Sequence, residues 1–189
     1  MEFIKQKEHF IEADPRSRSL GPPLETQYEL VSYFRVHDGV PESVRSYMNM
    51  VVTLWLYGWL YYRFYPLAVF HCTTAVEMAL QERFPEKRGR GLKKLLQTAR
   101  DAGLLADAGF PSLQNRRDTV QAIGAAGVAA APDPPYVDVL IATLPNIRNR
   151  FAHPEMHTIM PPGMSVDALI LAAEIINQLW PAPNPFRPS

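Results

Sequence analysis

The residues best equipped for chemistry stand together in the segment Arg148–His153, which reads RNRFAH. A guanidinium holds a phosphate with a planar fork of donors, and an imidazole exchanges protons near neutral pH. Together they suffice for metal-free RNA cleavage. The histidine would help the ribose 2′-hydroxyl attack the adjacent phosphate or protonate the leaving oxygen, while the arginine stabilises charge on the phosphoryl oxygens. The alternative is structural, since Arg and His near a helix C-terminus complement the helix dipole and cap free carbonyls.

The spacing within this segment constrains any site that it forms. Positions five apart lie about 140° from one another on a regular helix. Arg148 and His153 therefore converge only if the helix bends or unwinds before Pro154, or if a second copy of the chain completes the site across a two-fold axis.

Positive charge is concentrated between residues 83 and 100 of a chain that is neutral as a whole. Nineteen Lys and Arg balance nineteen Asp and Glu, so no net field attracts nucleic acid or an anionic membrane. This stretch contains one acidic residue, Glu86, and seven basic ones: Arg83, Lys87, Arg88, Arg90, Lys93, Lys94 and Arg100. Such a stretch is typical of a solvated helix face. Beside Arg148 and His153, however, it would follow an RNA backbone, with Arg90, Lys93, Lys94 and Arg150 as substrate contacts.

Other chemistries find little support in the sequence. There is no phosphate-binding P-loop, no Rossmann glycine pattern, no His-Glu-x-x-His and no nucleophile elbow. The single cysteine, Cys72, excludes an internal disulfide and a multi-cysteine zinc site. His71 and Cys72 lie mid-helix without matching ligands, so core packing is the better interpretation, and His157 is a second candidate proton carrier. We expect no metal and no cofactor.

The elements that must position these residues are helices. Apolar spacing, proline breaks and cap residues predict an all-α, antiparallel up-and-down bundle of about five to six helices. Pro145 should kink the helix that carries the RNRFAH segment, and Pro154 should end it. The predicted helices run from Pro41 to about Phe64, over Leu67–Phe84, over Leu92–Leu105 with Gly103 at its C-terminal end, onward from Ser112, over Tyr136–Ala152 after Asp133-Pro134-Pro135, and from Ser165 to Trp180.

The two ends of the chain differ from this bundle. Residues 1–40 are predicted to form an N-terminal arm: a short amphipathic helix within 1–13, an irregular segment over 14–25 rich in Pro, Ser and Gly, and a strand or short helix at Tyr28–Val36. Residues 41–181 form the helical domain. Residues 182–189 are a Pro-rich tail.

The apolar run Tyr47–Tyr62 raises the question of a membrane span. It is shorter than the roughly 18 to 20 apolar residues that a spanning helix needs, and it contains Asn49, Thr53 and Gly58. We therefore expect a helix buried nearly all round, in the core or in a subunit interface rich in Trp and Tyr. The N-terminus has no apolar run of signal-peptide length, so we expect a cytoplasmic protein.

RNRFAH resembles the Arg-Asn-x-x-x-His motif of the HEPN (higher eukaryotes and prokaryotes nucleotide-binding) superfamily. The segment AVFHCTTAVEMALQERF, residues 68–84, is similar to the family's first conserved helix, and GLKKLLQTARDAGLL, residues 91–105, is similar to the helix that follows. The resemblance covers roughly residues 45–180.

The resemblance implies an all-α bundle that dimerises with its motifs facing each other. In many members it implies a metal-independent endoribonuclease in toxin–antitoxin, phage-defence or RNA-processing settings. Carried over by position, Arg148 would bind phosphate, Asn149 would orient the site, His153 would be the catalytic histidine and Glu77 the acidic residue of the earlier helix. A helix glutamate more often makes a structural ion pair, and for Glu77 the partner would be Arg148.

The chain departs from many toxin members after the motif. They have a tyrosine shortly after the histidine, and this chain has Pro154-Glu155-Met156-His157 instead. The expected partners are RNA, a second copy of the chain, and a cognate antitoxin or neighbouring defence protein. The alternative is a non-catalytic HEPN module that binds RNA, nucleotide or a partner protein.

Overall fold

The computed structural model describes residues 4–113, 134–152, 162–180 and 182. Throughout these ranges the regular structure is helical and includes no strand, which confirms the predicted all-α fold class. Beyond Leu113, the helix predicted to begin near Ser112 lies outside them. The α-helices are α1 (Pro15–Leu20), α2 (Leu24–Leu30), α3 (Glu42–Tyr57), α4 (Phe64–Arg83), α5 (Leu92–Asp101), α6 (Tyr136–Ala152) and α7 (Pro162–Leu179).

Helix α4 lies at the centre of the fold and contacts α3, α5, α6 and α7. Its small residues Ala68, Ala75 and Ala79 are fully buried, and such residues let neighbouring helices approach closely. Cys72 is also buried in the core, which confirms its interpretation as a packing residue. Because α4 packs on several sides, a side chain on it can meet residues from more than one neighbouring helix.

The chain turns between α3 and α4 at residues 58–63, whereas the sequence predicted the break at Tyr65-Pro66. Pro66 lies instead in the first turn of α4, where a missing N–H removes no intrahelical hydrogen bond. Gly58 directly follows α3, and a Cβ at this position would lie only 2.5 Å from Cε1 of Tyr65. Close packing against an aromatic ring therefore explains why a glycine stands at the turn.

The prediction of an irregular segment over residues 14–25 is wrong, because α1 and the start of α2 occupy it. Asp14 caps α1 by accepting a hydrogen bond from the backbone N–H of Arg16 at 2.9 Å, and Pro15 takes the first helical position. Both are standard helix-start residues. The strand-or-helix alternative at Tyr28–Val36 is resolved as the end of α2 followed by a 3-10 helix at Val31–Phe34.

The segment from residue 14 onward packs on the corner between α3 and α4. The Ser17 hydroxyl donates to the carbonyl of Gly58 at 2.7 Å, and the Gln27 amide donates to the Tyr65 hydroxyl at 3.0 Å. Phe34 is 2% exposed and belongs to the main core. The part of the predicted arm nearest the bundle is thus anchored by buried contacts; before it, only Lys7–His9 is helical within residues 4–13.

Helix α3 is buried on one face and exposed on the other, which corrects the expectation that the run Tyr47–Tyr62 is buried nearly all round. Trp55 is 0% exposed, while Met50 and Tyr57 are 41% and 54% exposed. Trp55 also donates from its indole N–H to the Ser165 hydroxyl at 2.8 Å, so it serves the core of one copy and is not free for a subunit interface. None of the helices in the described ranges is long and apolar enough to span a membrane.

Helix α6 begins at Tyr136, as the two prolines before it predicted. Its first N–H groups, on Tyr136 and Val137, donate to the carboxylate of Asp107 at 2.8 and 3.0 Å. A carboxylate from a distant segment thus caps α6, while Asp133, the predicted start signal, lies outside the described residues. The helix continues through Pro145.

Helices α5 and α7 differ in how well their ends were predicted. Gly103 follows α5 with a φ of +69°, the left-handed conformation expected after a helix C-terminus. Helix α7 begins at Pro162, three residues before the predicted start at Ser165. Ser165 is instead fully buried, and its hydroxyl is satisfied there because it donates to the Pro162 carbonyl and accepts from the Trp55 indole N–H.

Candidate functional site

Arg148 continues the inward face of α6 into a cavity. Leu144, one turn earlier, and Ile141, two turns earlier, are 6% and 5% exposed and belong to the core. The long side chain of Arg148 therefore starts among apolar neighbours and ends in solvent, with 41% of it exposed. Its Nε is buried and has no hydrogen-bond partner among the described residues.

Glu77 on α4 faces Arg148 across this cavity. One carboxylate oxygen of Glu77 lies 3.4 Å from a terminal nitrogen of Arg148, and the Glu77 side chain is 19% exposed. The predicted pairing of these two residues is thus observed. The other terminal nitrogen of Arg148 donates to the side-chain oxygen of Asn149 at 3.4 Å. Both distances are long for charge-assisted hydrogen bonds, so the guanidinium is held loosely.

The cavity is about 460 Å³ in volume, within the range of sites that hold small ligands. Three separate parts of the chain form it: α4 contributes Glu77, the turn after α4 and the start of α5 contribute residues 89–94, and α6 contributes Pro145, Arg148 and Asn149. Four cationic side chains and one carboxylate line the walls. Such a cavity attracts an anion.

The cations opposite α6 have no acidic partners among the described residues. Arg90, Lys93 and Lys94 are exposed, and no hydrogen bond or ion pair engages their side chains within the described part of the chain. Arg100 differs, because its guanidinium is engaged by Asp101 and Asp138, with nitrogen–oxygen distances of 2.9 and 2.5 Å. Among the described residues, the three basic side chains at the cavity are thus unpaired, whereas Arg100, which does not line the cavity, is paired.

Six of the eight predicted site residues line this cavity: Glu77, Arg90, Lys93, Lys94, Arg148 and Asn149. Arg150 does not. It is exposed on α6 and lies two positions, or about 200° of helix rotation, beyond Arg148, which directs it away from the cavity. His153 and His157 lie outside the described residues, and so does the predicted bend before Pro154.

Sequence reasoning missed the glycines and the proline of the cavity wall. Gly89 has a φ of +82°, and a Cβ at either Gly89 or Gly91 would meet no other atom within 4 Å. Pro145 lies three residues before Arg148, on nearly the same side of α6. The two glycines close to lysines and arginines in the segment 87–94 were the available signal, since glycines let a ligand approach the backbone.

The remaining candidate chemical groups lie elsewhere. His71 accepts or donates a hydrogen bond with the Tyr47 hydroxyl at 2.8 Å, and burial lowers its pKa below the ordinary value. Burial also raises the pKa of the Cys72 thiol, which keeps it protonated and unreactive. Within residues 4–113, 134–152 and 162–180, no three His, Cys, Asp or Glu side chains are grouped to hold a metal ion.

No protein-family model, curated protein or solved structure matches this chain. The functional interpretation therefore depends on the chemistry and geometry of the cavity and on the RNRFAH segment beside it.

Proposed function

We propose that this protein is a metal-independent endoribonuclease of the HEPN type. The observation that supports the proposal is the cavity in which α4, the start of α5 and α6 bring together Glu77, Arg148, Asn149 and three cations that have no partner in the described ranges. A guanidinium whose side chain is 41% exposed and whose terminal nitrogens make only long contacts, set among further positive charges, is suited to hold a phosphodiester. His153 follows Arg148 closely in sequence and supplies the group that moves protons.

The proposed reaction is an in-line transfer of the phosphoryl group within the RNA strand. The ribose 2′-oxygen loses its proton and forms a bond to the adjacent phosphorus, while the bond from phosphorus to the 5′-oxygen of the next nucleotide breaks and that oxygen gains a proton. The products are a 2′,3′-cyclic phosphate and a free 5′-hydroxyl. His153 exchanges a proton with one of these oxygens, and Arg148 stabilises the charge on the non-bridging oxygens.

Glu77 and Asn149 act as positioning residues in this proposal. Both contact Arg148 and neither is required to touch the reacting atoms. Their contribution is to restrict a long, flexible side chain to the orientation that meets the phosphate.

The proposal includes a homodimer, in which a second copy of the chain completes the site across a two-fold axis. Ile147, beside Arg148 on α6, is 38% exposed, and Leu67 on α4 is 41% exposed. These apolar groups are available for a second copy, whereas the buried Trp55 is not. The proposed setting is the cytoplasm, with an antitoxin or neighbouring defence protein as a further partner. Light scattering that gives a monomer at micromolar concentration would remove the shared site from the proposal.

The direct test is RNA cleavage in the presence of EDTA. We expect the wild-type protein to cleave RNA, and we expect Arg148→Ala and His153→Ala to lower kcat by about 10²- to 10³-fold, the usual loss when a charge-stabilising or proton-transferring group is removed. Arg18→Ala removes an exposed arginine on α1 that does not line the cavity and should cleave like the wild type. Equal cleavage by all four proteins would contradict the assignment.

The alternative function is a non-catalytic module that binds RNA, nucleotide or protein in the same cavity. The contact between Arg148 and Glu77 favours it, because part of the guanidinium is already occupied. Binding that depends on Arg148 without any cleavage of RNA by the wild type would establish this alternative.

A further inference from the structure

The positive charge of the cavity is unevenly distributed. On the wall formed by α4 and α6, Arg148 is partly neutralised by Glu77, the one acidic residue among the described residues of the lining. On the wall formed by residues 89–94, which we call the α5 end, Arg90, Lys93 and Lys94 lie without acidic partners in the described part of the chain. An approaching polyanion therefore meets its strongest attraction at the α5 end, where no described carboxylate offsets the positive charge.

The backbone at the α5 end adds to this attraction. Gly91 is the N-cap of α5, and no side chain caps the helix there. The N–H groups of Lys94 and Leu95 are bonded to the Gly91 carbonyl, whereas no bond within the described structure engages those of Leu92 and Lys93. Free N–H groups and the positive end of the helix dipole favour an anion, and here they coincide with three cationic side chains on the wall of a cavity.

We propose that residues 89–94 form a second phosphate subsite, distinct from the one at Arg148, so that the protein binds single-stranded RNA through two phosphates of one strand. This inference rests on the proposed function and specifies its substrate: a flexible strand with at least two phosphodiesters. The α5 subsite supplies affinity and Arg148 supplies chemistry. A cavity of about 460 Å³ admits part of a single strand.

Gly91 offers a substitution that separates a ligand subsite from a structural role. Its φ of −65° and ψ of 155° suit Asp or Asn at an N-cap, and a Cβ there meets nothing within 4 Å. Gly91→Asp should therefore cap α5 and preserve the fold while placing a negative charge where the phosphate would bind. Gly91→Asn is the matched control, because it caps the helix in nearly the same shape without the charge.

The experiment measures binding of a fluorescently labelled, single-stranded 2′-deoxy hexanucleotide, which the proposed reaction cannot cleave, at several salt concentrations. We expect Gly91→Asp to bind about tenfold more weakly than Gly91→Asn, because like charges a few ångströms apart repel at surface dielectric. The slope of log K against log salt should fall by about 0.7, the value for one phosphate contact on a single strand. Lys93→Gln should lower affinity in the same direction, and circular dichroism checks that each variant is folded.

Equal affinity and equal slope for Gly91→Asp and Gly91→Asn would overturn the second subsite, and so would a wild type that does not bind the oligonucleotide at low salt. The cleavage assay with RNA distinguishes this failure from that of the proposed function. If both proposals hold, Gly91→Asp raises KM with little change in kcat, whereas Arg148→Ala lowers kcat. Binding of the oligonucleotide without cleavage of RNA would support the second subsite and contradict only the proposed nuclease activity.

Discussion

Two arginine–carboxylate pairs in this molecule show how differently the same two groups are used. At the start of α1, the buried Asp14 carboxylate accepts hydrogen bonds from the backbone and side chain of Arg16 and from the Tyr62 N–H, at distances of 2.9 to 3.1 Å. In the cavity, Glu77 and Arg148 are 3.4 Å apart. We call the first a closed pair, because short hydrogen bonds occupy its groups and it serves structure only. We call the second an open pair, because its long contact leaves guanidinium donors available for a ligand.

The electrostatic environment of Asp14 agrees with this difference. Burial by itself would raise the pKa of Asp14, but hydrogen bonds from the Arg16 side chain and from the backbone N–H groups of Tyr62 and Arg16 outweigh it and lower the pKa below the ordinary 3.8. The Arg16 guanidinium also lies 4.9 Å from the centre of the Tyr62 ring. This site favours the ionised carboxylate, and Asp14 is only 4% exposed.

The largest expected effect on stability follows from breaking the closed pair. Asp14→Asn removes the charge but keeps one oxygen acceptor, and we expect the free energy of unfolding in urea to fall by about 2 kcal/mol because several charge-assisted hydrogen bonds are weakened. Cleavage per folded molecule should not change. Asp38→Asn is the control, since the Asp38 side chain is 88% exposed in its pair with Arg45 and should change stability by less than about 0.5 kcal/mol. Similar losses of unfolding free energy in the two variants would contradict a special structural role for Asp14.

The contribution of Asp14 should also depend on pH. Its folded pKa lies below the unfolded value of about 3.9, so its stabilisation is complete well above that value and is lost as the pH falls through the folded pKa. The difference in unfolding free energy between wild type and Asp14→Asn should therefore be largest near pH 6 and shrink by pH 3. Urea denaturation at both pH values measures this difference, and a constant gap would contradict the account.

Breaking the open pair should affect activity more than stability. Glu77→Ala removes the carboxylate that orients Arg148, and we expect kcat to fall about tenfold, a cost typical of lost positioning. Unfolding free energy should change by no more than about 1 kcal/mol, because the contact between the two groups is long and the Arg148 side chain is 41% exposed. Glu77→Gln keeps an oxygen acceptor for Arg148 and should restore most of the rate. A loss of stability without a loss of kcat would make Glu77 a structural residue only.

The smallest effect is expected at Arg150. Although it belongs to the RNRFAH segment, it does not line the cavity, and Arg150→Ala should change kcat and KM by less than about twofold. The measurement is kcat and KM for RNA cleavage, determined side by side for Arg150→Ala and for Arg148→Ala, two positions away on α6. A loss as large as that of Arg148→Ala would mean that the opposite face of α6 also contacts substrate.

The sequence predicted helices correctly where apolar residues recur at helical spacing. It predicted them wrongly where the composition of a short segment suggested irregular structure. The spacing of Leu92, Leu95, Leu96 and Ala99 predicted α5 correctly, since all four are buried. The residues from Asp14 to Glu25 were read as irregular because Pro, Ser and Gly crowd there, although Asp-Pro is also a helix start. Contacts such as Ser17 with Gly58 connect residues far apart in sequence, and no local pattern reveals them.

The candidate site was predictable in part for a similar reason. Residue types identified Arg148 and the basic stretch, and the family resemblance suggested Glu77. The structure brings Arg148, Glu77 and three residues of the stretch to one cavity. Helix rotation already excluded Arg150 from the face of Arg148, a step that residue type alone had overlooked. The free N-terminus of α5 could not be foreseen, because it depends on which element packs beside it.

The nature of the RNA ends after cleavage tests the central claim most directly. Incubation in EDTA with an RNA that carries a single 2′-deoxy substitution on the 5′ side of one cleaved bond separates attack by the 2′-hydroxyl from attack by water. We expect 2′,3′-cyclic phosphate and 5′-hydroxyl ends, with cleavage abolished at the substituted bond and unchanged elsewhere. Cleavage at that bond, or 5′-phosphate ends, would contradict it.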